Sequence, residues 1–126
     1  MEKKNILIIE DESIIAFELC LKLESAGYKV IGIANCEERA VKIIESATPD
    51  LILSEIILHG ATDGIEAVRR IRELIDVAVI YVTSNKYLET DSRLLQTNPC
   101  AVIGKPFKDE ELFDEIKKCL LVHKSF

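Results

Sequence analysis

Five short apolar runs, each followed by a stretch of helical period, set the tightest limit on what this chain can fold into. The runs are Ile6-Leu7-Ile8-Ile9, Val30-Ile31-Gly32-Ile33, Leu51-Ile52-Leu53, Val77-Ala78-Val79-Ile80-Tyr81-Val82 and Ala101-Val102-Ile103. Each run is apolar on both faces, which a strand covered by helices above and below requires. Five β-then-α units in 126 residues predict right-handed crossovers and a doubly wound, five-stranded parallel sheet with five helices, a three-layer α/β sandwich.

The intervening segments carry helix signals of unequal strength. From Ser13 to Ala26, Ile15, Leu19 and Leu23 recur every fourth residue, Glu18 precedes Lys22 by four, and Gly27 closes the helix. Asn35 with Glu38 offers a capping box for a second helix whose buried stripe is Ala40, Ile43, Ile44 and Ala47, and Pro49 stops it. Asp63 caps a third over Gly64 to Leu74, with Ile65, Val68, Ile71 and Ile75 inward and the pairs Glu66 to Arg70 and Arg69 to Glu73 outside. Lys86 to Thr97 reads as a fourth, lightly attached helix with a polar middle. The last repeats Leu112, Phe113, Ile116, Cys119 and Leu120, with Asp109, Glu110 and Glu111 at one end and Lys117 and Lys118 toward the other, matching the helix dipole.

The length suits one domain over residues 1–126, with a core that needs no disulfide or metal staples. A net charge of -6 excludes a free-standing nucleic-acid binder, which would display a clustered excess of Lys and Arg. Cys20, Cys36, Cys100 and Cys119 form no CxxC pair, and neither His59 nor His123 stands at ligand spacing from a cysteine. They are expected as reduced, mostly buried thiols, with no metal–thiolate site. The apolar run near the N-terminus is too short for a signal-peptide core or a bilayer span, so the expectation is a cytoplasmic protein with no membrane partner.

Polar residues collect where the strands end. Glu10, Asp11 and Glu12 follow the first run, Glu55 the third, Thr83 and Ser84 the fourth, and Lys105 the fifth. In an open parallel sheet the ligand crevice lies outside the carboxyl ends of the strands. Carboxylates converging there repel one another unless a cation sits among them, and hard oxygen donors suit Mg2+. A hydroxyl and an ammonium nearby serve a phosphoryl group by hydrogen bonding and charge neutralisation. Together these residues describe a Mg2+-dependent phosphoryl site.

At this point the chain resembles the response-regulator receiver domain of two-component, phosphorelay signal transduction. The matching pieces are Ile6-Leu7-Ile8-Ile9-Glu10-Asp11-Glu12, Pro49-Asp50-Leu51-Ile52-Leu53-Ser54-Glu55, Asp63-Gly64-Ile65-Glu66-Ala67, Val82-Thr83-Ser84 and Lys105-Pro106-Phe107. They cover essentially the whole chain, and the resemblance implies the flavodoxin-like strand order 2-1-3-4-5. It also implies that Asp11 contacts Mg2+ directly and Glu10 through water, with Glu55 and the backbone carbonyl of Ile57 as further ligands. Thr83 would hydrogen-bond one phosphoryl oxygen, Lys105 would pair with another, and the Lys105-Pro106 bond would be cis. The implied partner is a sensor histidine kinase or other signalling protein, met through the fourth helix, fifth strand and fifth helix, with a homodimer through that surface one arrangement. Residues 121–126 are too few for an effector domain, so the chain is expected to act as a regulatory module rather than as an enzyme, with no direct nucleic-acid contact.

Several positions depart from the family pattern. The family's phosphoacceptor aspartate is Glu55 here, one methylene longer, which moves the carboxylate by more than ~1 Å in a reaction that tolerates little displacement. Two readings follow: phosphorylation at Glu55 is absent or weakened and its charge imitates the phosphorylated state, or an acidic residue of the pocket still takes phosphate from a histidine kinase. Val102 stands where the family has its switch aromatic, with Tyr81 or Tyr87 left to supply aromatic surface. His59 replaces a loop proline and is expected to face solvent. Glu12 reads as helix N-terminal charge. A flavodoxin-like cofactor site is excluded by Glu10-Asp11-Glu12, which would repel a phosphate lacking a metal.

Overall fold

The computed structural model describes residues 2–59 and 63–123. Its elements run β1 (Asn5–Ile9), α1 (Ser13–Ser25), β2 (Lys29–Ala34), α2 (Glu37–Ser46), β3 (Leu51–Ser54), α3 (Gly64–Arg72), β4 (Ala78–Thr83), α4 (Ser92–Gln96), β5 (Ala101–Gly104) and α5 (Asp109–Val122). The five strands form one parallel sheet in the order β2-β1-β3-β4-β5. This is the expected flavodoxin-like sandwich. Among the described residues no helix is long and apolar enough to cross a membrane. Of the C-terminal stretch 121–126 read above as too short for an effector, residues 124–126 lie outside the described ones.

The two-sided apolar runs become two cores. Leu7, Ile9, Ile52, Val79 and Tyr81 face α2 and α3, meeting Ala40, Ile65, Val68 and Ile71. Ile6, Ile8, Leu51, Leu53, Ile80 and Val82 face α1 and α5, meeting Ala16, Leu23, Leu112, Ile116 and Cys119. Successive residues thus alternate between the layers, and each buried Leu or Ile contributes about 2 kcal/mol. Arg72 ties α3 to the next layer, donating to the carbonyls of Thr97 (2.9 Å), Asn98 (3.0 Å) and Val77.

Local departures from the expected pattern have physical causes. The second helix starts at Glu37 with Cys36 as its cap residue, so Asn35 stays outside and no capping box forms; Glu37 and Glu38 meet the helix dipole instead. The expected helix over Lys86–Thr97 is a 3-10 turn, Lys86–Thr90, and then α4. Asp91 divides them, its carboxylate accepting from the amides of Arg93 (2.8 Å) and Leu94 (3.4 Å), a local bond that competes with continuous helix. Lys22 pairs with Asp109 across the layer at 3.0 Å rather than with Glu18. Glu66 pairs with Arg69 rather than Arg70, while the Arg69–Glu73 pair forms as expected. Lys117 and Lys118 fall short of the last turn of α5, which carries no base.

The cysteines differ most from expectation. Cys20 and Cys36 are free and half-buried, but Cys100 and Cys119 are joined by a disulfide, with Cα atoms 5.9 Å apart. Their separation of 19 residues conceals that the start of β5 runs beneath the C-terminal half of α5.

One glycine fixes the approach of α3 to the site. A Cβ on Gly64 would stand 1.7 Å from the Glu55 carbonyl oxygen, and the Gly64 amide donates to Ile56 O at 2.7 Å. Gly64→Ala must move backbone, and is expected to cost about 3 kcal/mol in urea unfolding; a loss below about 1 kcal/mol would show that the approach is not tight.

Candidate functional site

The carboxyl ends of β1, β3, β4 and β5 converge on a buried ion cluster. Glu10 and Glu55 prolong β1 and β3; the Glu10 amide donates to Ala34 O and the Glu55 amide to Ile9 O, both at 2.9 Å. Lys105 leaves β5 with its own amide on Thr83 O (2.8 Å), and the Lys105-Pro106 bond is cis. The Lys105 Nζ reaches across the sheet end to Glu55 Oε1 at 3.0 Å and Glu10 Oε1 at 3.1 Å. The second oxygens are held locally: Glu55 Oε2 accepts from the Ile56 amide at 2.6 Å and the Ile57 amide at 3.5 Å, and Glu10 Oε2 from the Glu12 amide at 3.2 Å.

Both acids are buried, with Glu10 6% and Glu55 8% exposed, while Lys105 is half-buried and all three line a cavity of about 240 Å3. Burial pushes the Glu10 carboxyl above its ordinary value, although the Glu12 amide and Lys105 pull the other way. Burial alone would lower the Lys105 ammonium, but its hydrogen bonds and charge contacts with Glu55 and Glu10 outweigh that and leave it raised. The ammonium therefore stays charged at neutral pH and compensates two carboxylates at once.

Asp11 lies beside this cluster, bonded to His59. Its Oδ2 receives the His59 amide and faces His59 Nδ1, each at 2.6 Å. Burial works to raise the Asp11 carboxyl, but these bonds and the imidazole charge hold it below the ordinary carboxylate range. His59 is solvent-facing as expected, with a side chain 75% exposed, yet it also binds Asp11, which a loop reading of the sequence missed. Thr83 is fully buried, and its Oγ1 accepts from the Asn85 amide at 3.0 Å. Ile57 sits at the rim, 44% exposed.

The donors for Mg2+ are of the right chemistry, hard carboxylate oxygens. Their arrangement divides them between Lys105 and His59, and among the described residues no three His, Cys, Asp or Glu groups converge as a metal site. The structure thus brings together Glu10, Glu55 and Lys105 and sets Asp11 with His59 beside them. The reach of Glu55 toward Lys105 follows from its place in the resemblance, but the second bond of Lys105, to Glu10, had no sequence signal.

Of the two tyrosines expected to supply aromatic surface, Tyr87 does so and Tyr81 does not. Val102 packs, half-buried, against the α2–α3 core. Tyr81 offers no surface: it is wholly buried, bonded to Thr97 Oγ1 at 2.7 Å, and burial pushes its hydroxyl up to about 12. Tyr87 is the exposed ring.

Comparison with known proteins agrees with this architecture. The response regulator receiver domain family matches over residues 6–117. The chain is 37% identical over 121 residues to the phyllosphere-induced regulator PhyR of Methylorubrum extorquens, covering 95% of this chain and 45% of that protein. It is similar to the PhyR receiver domain of Erythrobacter litoralis, with TM-score 0.87, 31% identity, and coverage of 100% of this chain and 96% of the other. It is also similar to the anti-anti-sigma factor PhyR of Bartonella quintana, with TM-score 0.81, 31% identity, and coverage of 97% of this chain and 49% of that one. The chain spans about half the length of the Methylorubrum and Bartonella proteins.

The cluster predicts an asymmetric pH response. Lys105→Met leaves two buried carboxylates uncompensated and is expected to cost about 3 kcal/mol at pH 7 in urea unfolding. The deficit should shrink toward pH 4, as the raised Glu10 carboxyl takes its proton. In the native protein the contribution of Lys105 is complete below the ordinary lysine value and is lost as pH rises through its raised one. A deficit equal at both pH values would contradict the cluster.

Proposed function

Because the chain belongs to the response regulator receiver domain family, we propose that it is an atypical receiver, a regulatory protein-interaction module in which phosphorylation at Glu55 is absent or weakened. The observation that carries this reading is that both Glu55 oxygens are already engaged, one by Lys105 and one by the Ile56 amide. Each oxygen keeps a lone pair, but in-line attack needs precise placement, and these bonds fix the longer side chain's oxygens before a donor arrives.

Glu55 places a carboxylate on Lys105, the contact a phosphoryl group would otherwise make. Thr83 does not share in it here, since its oxygen is turned to the Asn85 amide. Glu55 therefore supplies the lysine half of an activated arrangement and not the threonine half. Mg2+, when bound, would neutralise the acids, with Glu10, Asp11, Glu55 and the Ile57 carbonyl as its ligands. Binding must compete with Lys105 and His59 and should be weak.

The partners proposed are a sensor histidine kinase or another signalling protein, met through α4, β5 and α5, a surface that would also serve a homodimer. The name anti-anti-sigma factor, borne by the Bartonella protein, supports output through contact with a further regulator. The proposed location is the cytoplasm.

Incubation with Mg2+ and acetyl phosphate, read by intact mass, tests the reading. The native protein is expected to gain no phosphoryl adduct and Glu55→Asp to gain one. A stoichiometric adduct on the native chain, lost in Glu55→Gln, would establish the alternative, a phosphorylation-competent receiver taking phosphate from a histidine kinase.

A further inference from the structure

We propose that Cys100 and Cys119 form a reversible thiol–disulfide modification site, opened by small thiols and closed by small disulfides, that tethers the β5–α5 side of the domain. The two cysteines occupy unlike positions. Cys100 is exposed, one residue ahead of β5, with its amide on Val79 O at 2.7 Å. Cys119 is fully buried on α5 beside the core that contains Leu112 and Ile116. A reagent thus meets the pair from the Cys100 side.

That side is accessible. Cys100, Cys119, Arg72, Asn98 and His123 line a surface cavity of about 280 Å3, with the Asp76 carboxylate 3.8 Å from the Arg72 guanidinium and 3.2 Å from His123. The guanidinium on the cavity wall, partly offset by that carboxylate, favours thiolate over thiol. The fold does not rest on the bond: both helical layers close on apolar side chains, and a reduced Cys119 remains a small buried hydrophobe. Both redox states should therefore be folded.

The bridge has a consequence for mobility because β5 is an edge strand, paired with β4 alone. The bond ties the entry of that strand to the helix packed over it. The segment it closes contains β5, Lys105, Pro106 and most of α5, so the tether also restrains the residue that holds Glu10 and Glu55.

The chemistry balances with small thiols alone. A thiolate attacks the Cys100 Sγ, forming a mixed disulfide, and the electron pair of the broken bond leaves on the Cys119 Sγ, which takes a proton. A second thiolate attacks the small-molecule sulfur, releasing Cys100 and a small disulfide. Two thiols are oxidised as one protein disulfide is reduced; the reverse sequence closes the bridge.

The test equilibrates the full chain in buffers of reduced and oxidised glutathione, quantifies the bridge by alkylation and peptide mass, and measures hydrogen exchange in each state. The bridge is expected to open and close reversibly, with a cooperative unfolding transition retained in both forms. Reduction should speed exchange at least about tenfold in residues 101–104 and 116–122 and leave β1 and β3 unchanged. Cys100→Ser, a substitution at an exposed position that should fold, is expected to match the reduced form in either buffer. The double variant Cys20→Ser with Cys36→Ser should respond as the native chain does. Failure of the bridge to form in oxidised glutathione, its persistence in excess reduced glutathione, or equal exchange in both states would overturn the proposal.

Discussion

A single ammonium, Lys105 Nζ, lies between the carboxylates that end two neighbouring central strands, 3.1 Å from Glu10 and 3.0 Å from Glu55. Strands β1 and β3 pair directly, so their terminal acids must lie close together, and their burial strengthens the repulsion between them. Without a cation the sheet end would be unstable in its ionised form. Lys105 meets that demand from β5, at the far side of the sheet, where its amide bond to Thr83 O sets its starting point. In the proposed function, the bonds that stabilise this sheet end also engage groups that phosphoryl transfer would use.

Glu55 joins fold and function. Its longer side chain lets one oxygen reach Lys105 while the other returns to the Ile56 amide. Gly64 packs on its carbonyl, and the Ser54 hydroxyl donates to that same oxygen at 2.9 Å, so the backbone beneath the carboxylate is fixed as well. The proposed role without ordinary phosphorylation also fits Val102, half-buried against the core at the position of the usual switch aromatic.

Much of this was legible in the sequence, for reasons that can be located. Leu51, Ile52 and Leu53 are apolar on both faces because β3 is central, and that burial specified parallel strands between helices. Asp63 announced the start of α3 because its carboxylate accepts from the Glu66 amide at 2.8 Å, a local bond. What escaped were contacts between residues distant in the chain or in competition. Lys105 lies 95 residues from Glu10 and 50 from Glu55, so which carboxylates it would hold was fixed by strand order and side-chain reach. His59 joined Asp11 through a loop whose path no periodicity describes. Cys100 and Cys119 met only because α5 folds back over β5.

Lys105 Nζ is a half-buried charge paired with two carboxylates. Titration of its Nζ by nitrogen-detected NMR separates this from the alternative by sign, since burial without partners lowers a lysine and carboxylate partners raise it. A midpoint above the ordinary lysine value of about 10.4 is expected. A midpoint below that value would contradict the pairing.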